Sequence, residues 1–355
     1  MAATSVKKVE NKTARRGFLK WAKSRKGQQT LIILAFTIIP LVLLAAFTYV
    51  PFAEMVKFSF YKMKYSTPVD KRVFVGWKNY IEVFRKDIFA SLWLSLYYMV
   101  GSVVQLALAL FLATILSFKT RGGNLFKGLM FFPYLISGIA IGFIFKYFYT
   151  RGFVFDSILG WFGFELDSLP YWLRDQKINN WSLVATSVWR YFGNNMVLFI
   201  GAIMSVDSEM YEAAELDGAN KFQQFKHIIL PSIKTIITLN VILSITGSLS
   251  AFEQPYVITD GANGTGTYFV IMNEIAHVSQ KVGLASAMAV VLLLIIFACT
   301  ILQKLFFKYI FRDAESEDES YKAKRARLKA EKQAKKLLKQ LDAALLANPL
   351  LADKQ

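Results

Sequence analysis

The stretch from residue 31 to 53, LIILAFTIIPLVLLAAFTYVPFA, runs for 23 residues without a charged side chain. About 20 such residues in a helix cross the roughly 30 Å hydrocarbon core of a bilayer. The stretch is too long for the apolar core of a signal peptide and lacks a small-residue cleavage site, so it reads as a retained anchor. Five further runs of the same character lie near 89–117, 124–147, 182–204, 235–257 and 282–306. The sequence therefore predicts an all-α polytopic membrane protein with six transmembrane helices. Composition agrees: 55% of the 355 residues are hydrophobic and only 19% charged, where soluble domains carry about 25% charge. Pro40 and Pro133 are expected to kink the first and third helices, since each removes a backbone donor.

Lysine and arginine in the short flanks set the direction of insertion. Residues 1–30 carry Lys7, Lys8, Lys12, Arg15, Arg16, Lys20, Lys23, Arg25 and Lys26 against one acid, Glu10. Lys119 and Arg121 follow the second run, and the stretch after Phe307 is again rich in Lys and Arg. Both termini are thus expected in the cytoplasm. Residues 54–88 should then lie outside although they hold eight Lys or Arg and four acids; the first flank outweighs them. The net charge of +17 is accounted for by such flanks, so no nucleic-acid partner is expected. Cys299 is the single cysteine and forms no disulfide or zinc site alone, and His227 and His277 have no metal-ligand spacing.

Polar residues inside the apolar runs are few: Gln105 in the second, Arg190, Asn194 and Asn195 in the fourth, and Asn240, Glu253 and Gln254 in the fifth. Such side chains face protein or water rather than lipid, which makes them pathway candidates or interhelical links. Between the fourth and fifth runs lies SVDSEMYEAAELDGANKFQQFKHIILPSIK. Asp207 or Ser208 can cap a helix through Glu212, Ala213, Ala214 and Leu216, and Gly218 permits a left-handed stop. A second helix is expected to carry Phe222, Phe225, Ile228 and Ile229 on one side. The small Ala213 and Ala214 beside Glu212 suit a short helix lying in the cleft of another protein, with Glu212 meeting an arginine there.

This loop resembles the signature of ABC importer permeases: Glu212-Ala213-Ala214, Gly218, Ile228 and Leu230-Pro231 stand at the family's spacing. The resemblance covers about residues 30–310. Phe74-Val75-Gly76-Trp77-Lys78-Asn79-Tyr80, the segment Phe252 to Thr259, and Gly283-Leu284-Ala285-Ser286-Ala287 are similar to elements of the maltose and multiple-sugar branch, first permease type. Two departures stand out: Glu253 occupies a position where Asp is commoner, and Gly261-Ala262-Asn263 replaces Gly-Gly-Pro. The resemblance implies the type I importer permease fold. On it the chain divides into a basic N-terminus (1–30), an anchor helix with outer loop (31–88), a five-helix permease domain (89–310) with a coupling loop (205–233), and a charged cytoplasmic tail (311–355).

The family's function is then expected: a bacterial plasma-membrane subunit which, with a second permease, forms the path for a sugar or oligosaccharide delivered by an extracellular binding protein or lipoprotein. Glu212, Ala213, Ala214, Gly218, Leu230 and Pro231 would dock on an ABC ATPase dimer. The sequence has no Gly-x-x-x-x-Gly-Lys-Ser/Thr loop, so ATP and Mg are expected on that separate chain, with no cofactor and no catalysis here. Sugar sites combine hydrogen-bonding side chains with aromatic platforms, and two places supply both: Trp189, Tyr191, Asn194 and Asn195, and Ser248, Phe252, Glu253 and Gln254. In the tail, Leu328, Leu337, Leu338 and Leu341 form a stripe on a basic helix, suited to solvent, to membrane lipid or to the ATPase. An ion-coupled secondary transporter is the competing class, with Glu253 as its one candidate acid.

Overall fold

The computed structural model describes residues 24–118 and 121–310, together with Arg327, Ala330, Gln333 and Ala334. The readings made on residues 1–23, on Lys119 and on the rest of the tail lie outside the described residues. Among the described residues the secondary structure is helical apart from one two-stranded antiparallel ribbon. Helices stand at all six expected places. Arg25–Phe58, Asp87–Leu116, Lys221–Thr259 and Val282–Tyr309 are long and apolar enough to cross a membrane, and the pair Gly123–Leu135 and Gly138–Phe148 makes a fifth candidate. Asn179–Met204, at the fourth place, is 26 residues long but more polar than these.

The described residues fall into two compact units, those up to 86 with 272–292 and those from 87 to 271 with those from 293 onward. The first holds α1 (Arg25–Phe58), strands β1 (Tyr61–Lys62) and β2 (Val73–Phe74), and α2 (Lys78–Val83). A π-helical turn, Ala45–Tyr49, interrupts α1 just before Pro51. A wide turn there eases the clash between a proline ring and the preceding turn's carbonyl. The apolar stretch of α1 has no buried residue; Phe36 and Phe47 are 79% and 77% exposed.

The segment Phe74 to Tyr80 closes the end of α1. Gly76 takes φ +56°, a left-handed conformation that glycine adopts without strain, and the turn aims Asn79 back at the chain leaving α1. Asn79 Nδ2 donates to the carbonyls of Ser59 (2.7 Å) and Tyr61 (3.1 Å), while the Ser59 hydroxyl meets Tyr80 OH at 2.7 Å. A side chain on Gly283 would run into the Tyr61 carbonyl, and the Val282 amide donates to Met63 O at 3.1 Å. Asn79 is thus a structural clip. Asn79→Ala strands buried carbonyls, which costs about 1–3 kcal/mol. A lowered melting midpoint in detergent is expected, and an unchanged one would show that other donors serve these carbonyls.

The second unit is built on α3 (Ser95–Leu116), α4 (Gly123–Leu135), α5 (Gly138–Phe148), α6 (Val154–Trp161) and α7 (Asn179–Met204). It continues through α8 (Ser208–Leu216), α9 (Lys221–Gln224), α10 (Leu230–Leu249) and α11 (Glu253–Thr259). Its core is a seam of α3, α7 and the start of α10, with Ala109, Ala113, Met196, Phe199, Ile203, Ile229 and Ile233 buried together. Glycines set the closest approaches. A Cβ on Gly101 would strike Val184, one on Gly142 Val257, and one on Gly193 the Met130 carbonyl.

The third place departs from the expectation of one helix kinked at Pro133. The chain bends by 97° between Leu135 and Gly138, through Ile136 and Ser137 in extended conformation. Pro133 stays inside α4. The break falls later, and a new helix begins at Gly138, whose missing Cβ leaves the space that the Glu253 carboxylate and the Arg190 guanidinium occupy.

Candidate functional site

Two sites follow from the sequence reading, and both lie in the second unit. The first is the elbow between α7 and α10. Asp207 is the N-cap of α8, its carboxylate accepting from the Glu209 amide at 3.2 Å. At the far end Gly218 takes φ +77°, with Gly218 N donating to Glu215 O (3.1 Å) and Ala219 N to Ala214 O (2.9 Å), the paired bonds of a Schellman stop. Asn220 opens α9 in a capping box with Gln223, a signal present in the Asn-x-x-Gln spacing but not used in the sequence reading. Lys221 pairs with Glu215 at 2.5 Å and holds its carboxyl below the usual carboxylate range.

The elbow is anchored at its ends and bare in the middle. Ile228 and Ile229 are buried, and Tyr211 and Phe225 pack against the core seam. Burial pushes the Tyr211 phenol up. α8 itself has no buried residue, and Glu212 and Ala213 are exposed. Phe222 is 72% exposed, so it does not share the buried side of Ile228 and Ile229. A five-residue π turn, Phe225–Ile229, intervenes and shifts the helical phase that the expected stripe assumed. Leu230 and Pro231 form the first turn of α10.

The second site is a cavity of about 450 Å³ between α3, α7, α10 and residues 250–254, within the size range of small-molecule sites. Tyr191, Asn194, Asn195, Ser248, Phe252, Glu253 and Gln254 all line it. Trp189 does not. It lies against Phe145, ring centroids 5.1 Å apart, and lines a separate apolar groove with Trp181, Phe132 and Pro133. Helical phase explains the split: positions 191, 194, 195 and 198 share one face of α7, and 189 lies nearly opposite 191. Grouping by nearness in sequence had merged the two faces.

Other lining residues were unassigned or noted only as polar. Tyr98, Ser102 and Gln105 form a stripe on α3, and Asn240, Ser244 and Ser248 recur every four residues on α10. Both stripes are legible as helical periodicities of polar residues inside apolar runs. Ser248 Oγ donates to Ser244 O at 2.8 Å, and Asn240 Nδ2 to Ile236 O at 2.9 Å. The Tyr98 hydroxyl and Gln254 Nε2 are buried without a hydrogen bond of normal geometry. Phe252 offers a ring face steadied by stacking on Tyr256, centroids 4.7 Å apart.

At one end of the cavity Arg190 Nη1 donates to Glu253 Oε2. The arginine also lies over the Tyr191 ring, 5.1 Å from its centroid. Gly138, the first residue of α5, closes over the pair, and a Cβ there would collide with both the carboxylate and the guanidinium. Both members of this pair were picked out as polar residues in apolar runs, but nothing local joins residues 63 positions apart. Behind the cavity, Asn179 Nδ2 donates to Asn263 O at 2.7 Å and Thr267 Oγ1 to Ala251 O at 2.6 Å. These bonds fix the loop that departs from the Gly-Gly-Pro pattern.

A helical membrane core, a bare capped elbow and a polar cavity between helices define a transport subunit. The family described as "Binding-protein-dependent transport system inner membrane component" matches residues 105–312, and the chain belongs to that family. It is 32% identical over 288 residues to the probable ABC transporter permease protein YurN of Bacillus subtilis (strain 168), covering 79% of this chain and 97% of that one. It is 30% identical over 280 residues to the multiple sugar-binding transport system permease protein MsmF of Streptococcus mutans serotype c, covering 76% and 92%. The fold is similar to that of a bacterial ABC transporter involved in the import of the acidic polysaccharide alginate, with TM-score 0.68, 16% identity, and 81% and 98% of the two chains covered.

Proposed function

We propose that the chain is one permease of a bacterial ATP-driven importer and carries a sugar or oligosaccharide through the cavity between α3, α7 and α10. The carrying observation is that one family match, residues 105–312, contains the elbow and all but the Tyr98–Ser102 edge of a cavity lined by hydroxyls, amides and an aromatic face. Relatives named for sugar transport support the substrate class. In this reading the chain crosses the plasma membrane six times with both ends in the cytoplasm, and α7 is the polar, pathway-lining crossing. A second permease completes the path, an extracellular binding protein delivers the sugar, and an ATPase dimer, holding the ATP and Mg, grips Glu212, Ala213, Ala214 and Gly218. This chain binds no cofactor and catalyses no reaction. Glu253, paired with Arg190, is poorly placed to act as the free acid of an ion-coupled carrier.

The test is reconstitution: the complete assembly in proteoliposomes, with uptake of labelled oligosaccharide driven by ATP and binding protein. Uptake that persists with a hydrolysis-dead ATPase, or in this chain alone, would remove the reading. Within the assembly, Asn194→Ala and Phe252→Ala remove a hydrogen-bonding amide and a ring face from the cavity. Uptake is expected to fall by about tenfold each, the effect of losing about 1.4 kcal/mol of binding, with co-purification of all subunits unchanged. Parent-level uptake in both variants would place the path elsewhere.

A further inference from the structure

We propose that Glu253 sets the charge selectivity of the cavity: by neutralising Arg190 it makes the cavity a receptor for uncharged saccharides and a barrier to anionic ones. The proposal rests on the reading that a saccharide passes through this cavity, and it names the class. Among the described residues, no lysine, arginine or histidine lines the cavity, and Glu253 is its one carboxylate. Arg190 is the nearest cation, and it sits behind the wall: its side chain is 11% exposed against 45% for Glu253. Glu253 Oε2 takes Arg190 Nη1, and Gly138 lies against the pair, where a Cβ would displace the carboxylate or the guanidinium. The arginine's charge is therefore spent inside the protein rather than offered to the cavity.

What faces the cavity instead suits hydroxyl groups. Glu253 Oε1 remains outside the bond to Arg190 and can accept from a hydroxyl. The other polar residues of the lining, among them Ser102, Gln105, Asn194, Asn195 and Ser244, add uncharged donors and acceptors. A uronate carboxylate entering here finds Glu253 and Arg190 already paired with each other and no free cation in the lining, so it loses hydration without gaining a partner, which is costly for a charge and far less so for a hydroxyl.

The experiment measures binding to the whole permease and ATPase complex in lipid nanodiscs without the binding protein, so that only the membrane path selects. The probes are labelled neutral trisaccharides of glucose, galactose and arabinose, and trigalacturonate, in equilibrium dialysis. The parent complex is expected to hold at least one neutral trisaccharide more tightly than trigalacturonate by about tenfold or more. Glu253→Gln frees the arginine, and the preference should shrink or invert. The double variant Arg190→Gln with Glu253→Gln restores neutrality without the pair, and the neutral preference should return. Equal binding of both classes by the parent, an unaltered preference in Glu253→Gln, or a double variant that behaves like the single one each overturns the proposal. If the parent holds no trisaccharide of either class while its ATP hydrolysis responds to binding protein loaded with another solute, the saccharide reading itself falls and takes the proposal with it.

Discussion

Glu212→Lys is expected to lower ATP-driven uptake by at least about tenfold while the chain still inserts and pairs with its companion permease. Glu212 stands exposed on α8, a helix with no buried residue, so its replacement leaves the permease core untouched. In the proposed assembly the carboxylate meets a cation of the ATPase. Reversing its sign converts a charge-assisted bond into a repulsion, and losing one partner of such a pair at an interface costs about 2–5 kcal/mol. Three measurements separate the causes: insertion, co-purification of the ATPase, and uptake. Normal uptake with full ATPase retention would show that Glu212 carries no coupling contact.

Gly193→Leu is expected to abolish the folded permease, and Gly193→Ala to weaken it. Gly193 lets α7 approach α4 so closely that a Cβ would overlap the Met130 carbonyl. The obstacle is main chain, which cannot rotate away as a side-chain tip can, so both helices must separate. Even modest overpacking costs about 1–3 kcal/mol, and Met196 and Phe199, one and two turns further on, are fully buried in the core seam. The check is monodisperse yield after detergent extraction, together with thermal unfolding of the alanine variant. A leucine variant that purifies and melts like the parent would mean that α4 and α7 part without cost.

The features legible in the sequence were those written in local chemistry. Long apolar runs announced the helices, an aspartate before a short polar helix announced its cap, and a glycine after Asp217 announced its stop, which the structure realises at φ +77°. Features that depend on distant neighbours were not legible. The bend falls at Ile136–Ser137, just before Gly138 where Arg190 and Glu253 crowd the backbone, rather than at the proline that local sequence makes visible. The ion pair joins two helices and has no local trace. Trp189 was misplaced for a different reason. Its helix was recognised, but its phase around that helix was not followed, and one turn carries both the cavity face and the apolar groove. Asn79 read as part of a resemblance; only its bonds to two carbonyls give it a physical task.

Helix α8 is held by its caps and by Tyr211 packed on the core seam, and it has no buried residue. The permease's own stability therefore exerts no selection on the outward side chains of these nine residues; only whatever they touch can constrain them. Their sequence is free to drift in step with an outside surface, and a transplanted stretch bounded by Asp207 and Gly218 would bring its docking preference with it while the scaffold beneath stayed as it was. In the proposed assembly, allegiance to the ATPase is thereby separated from the path it drives, and each can be inherited on its own.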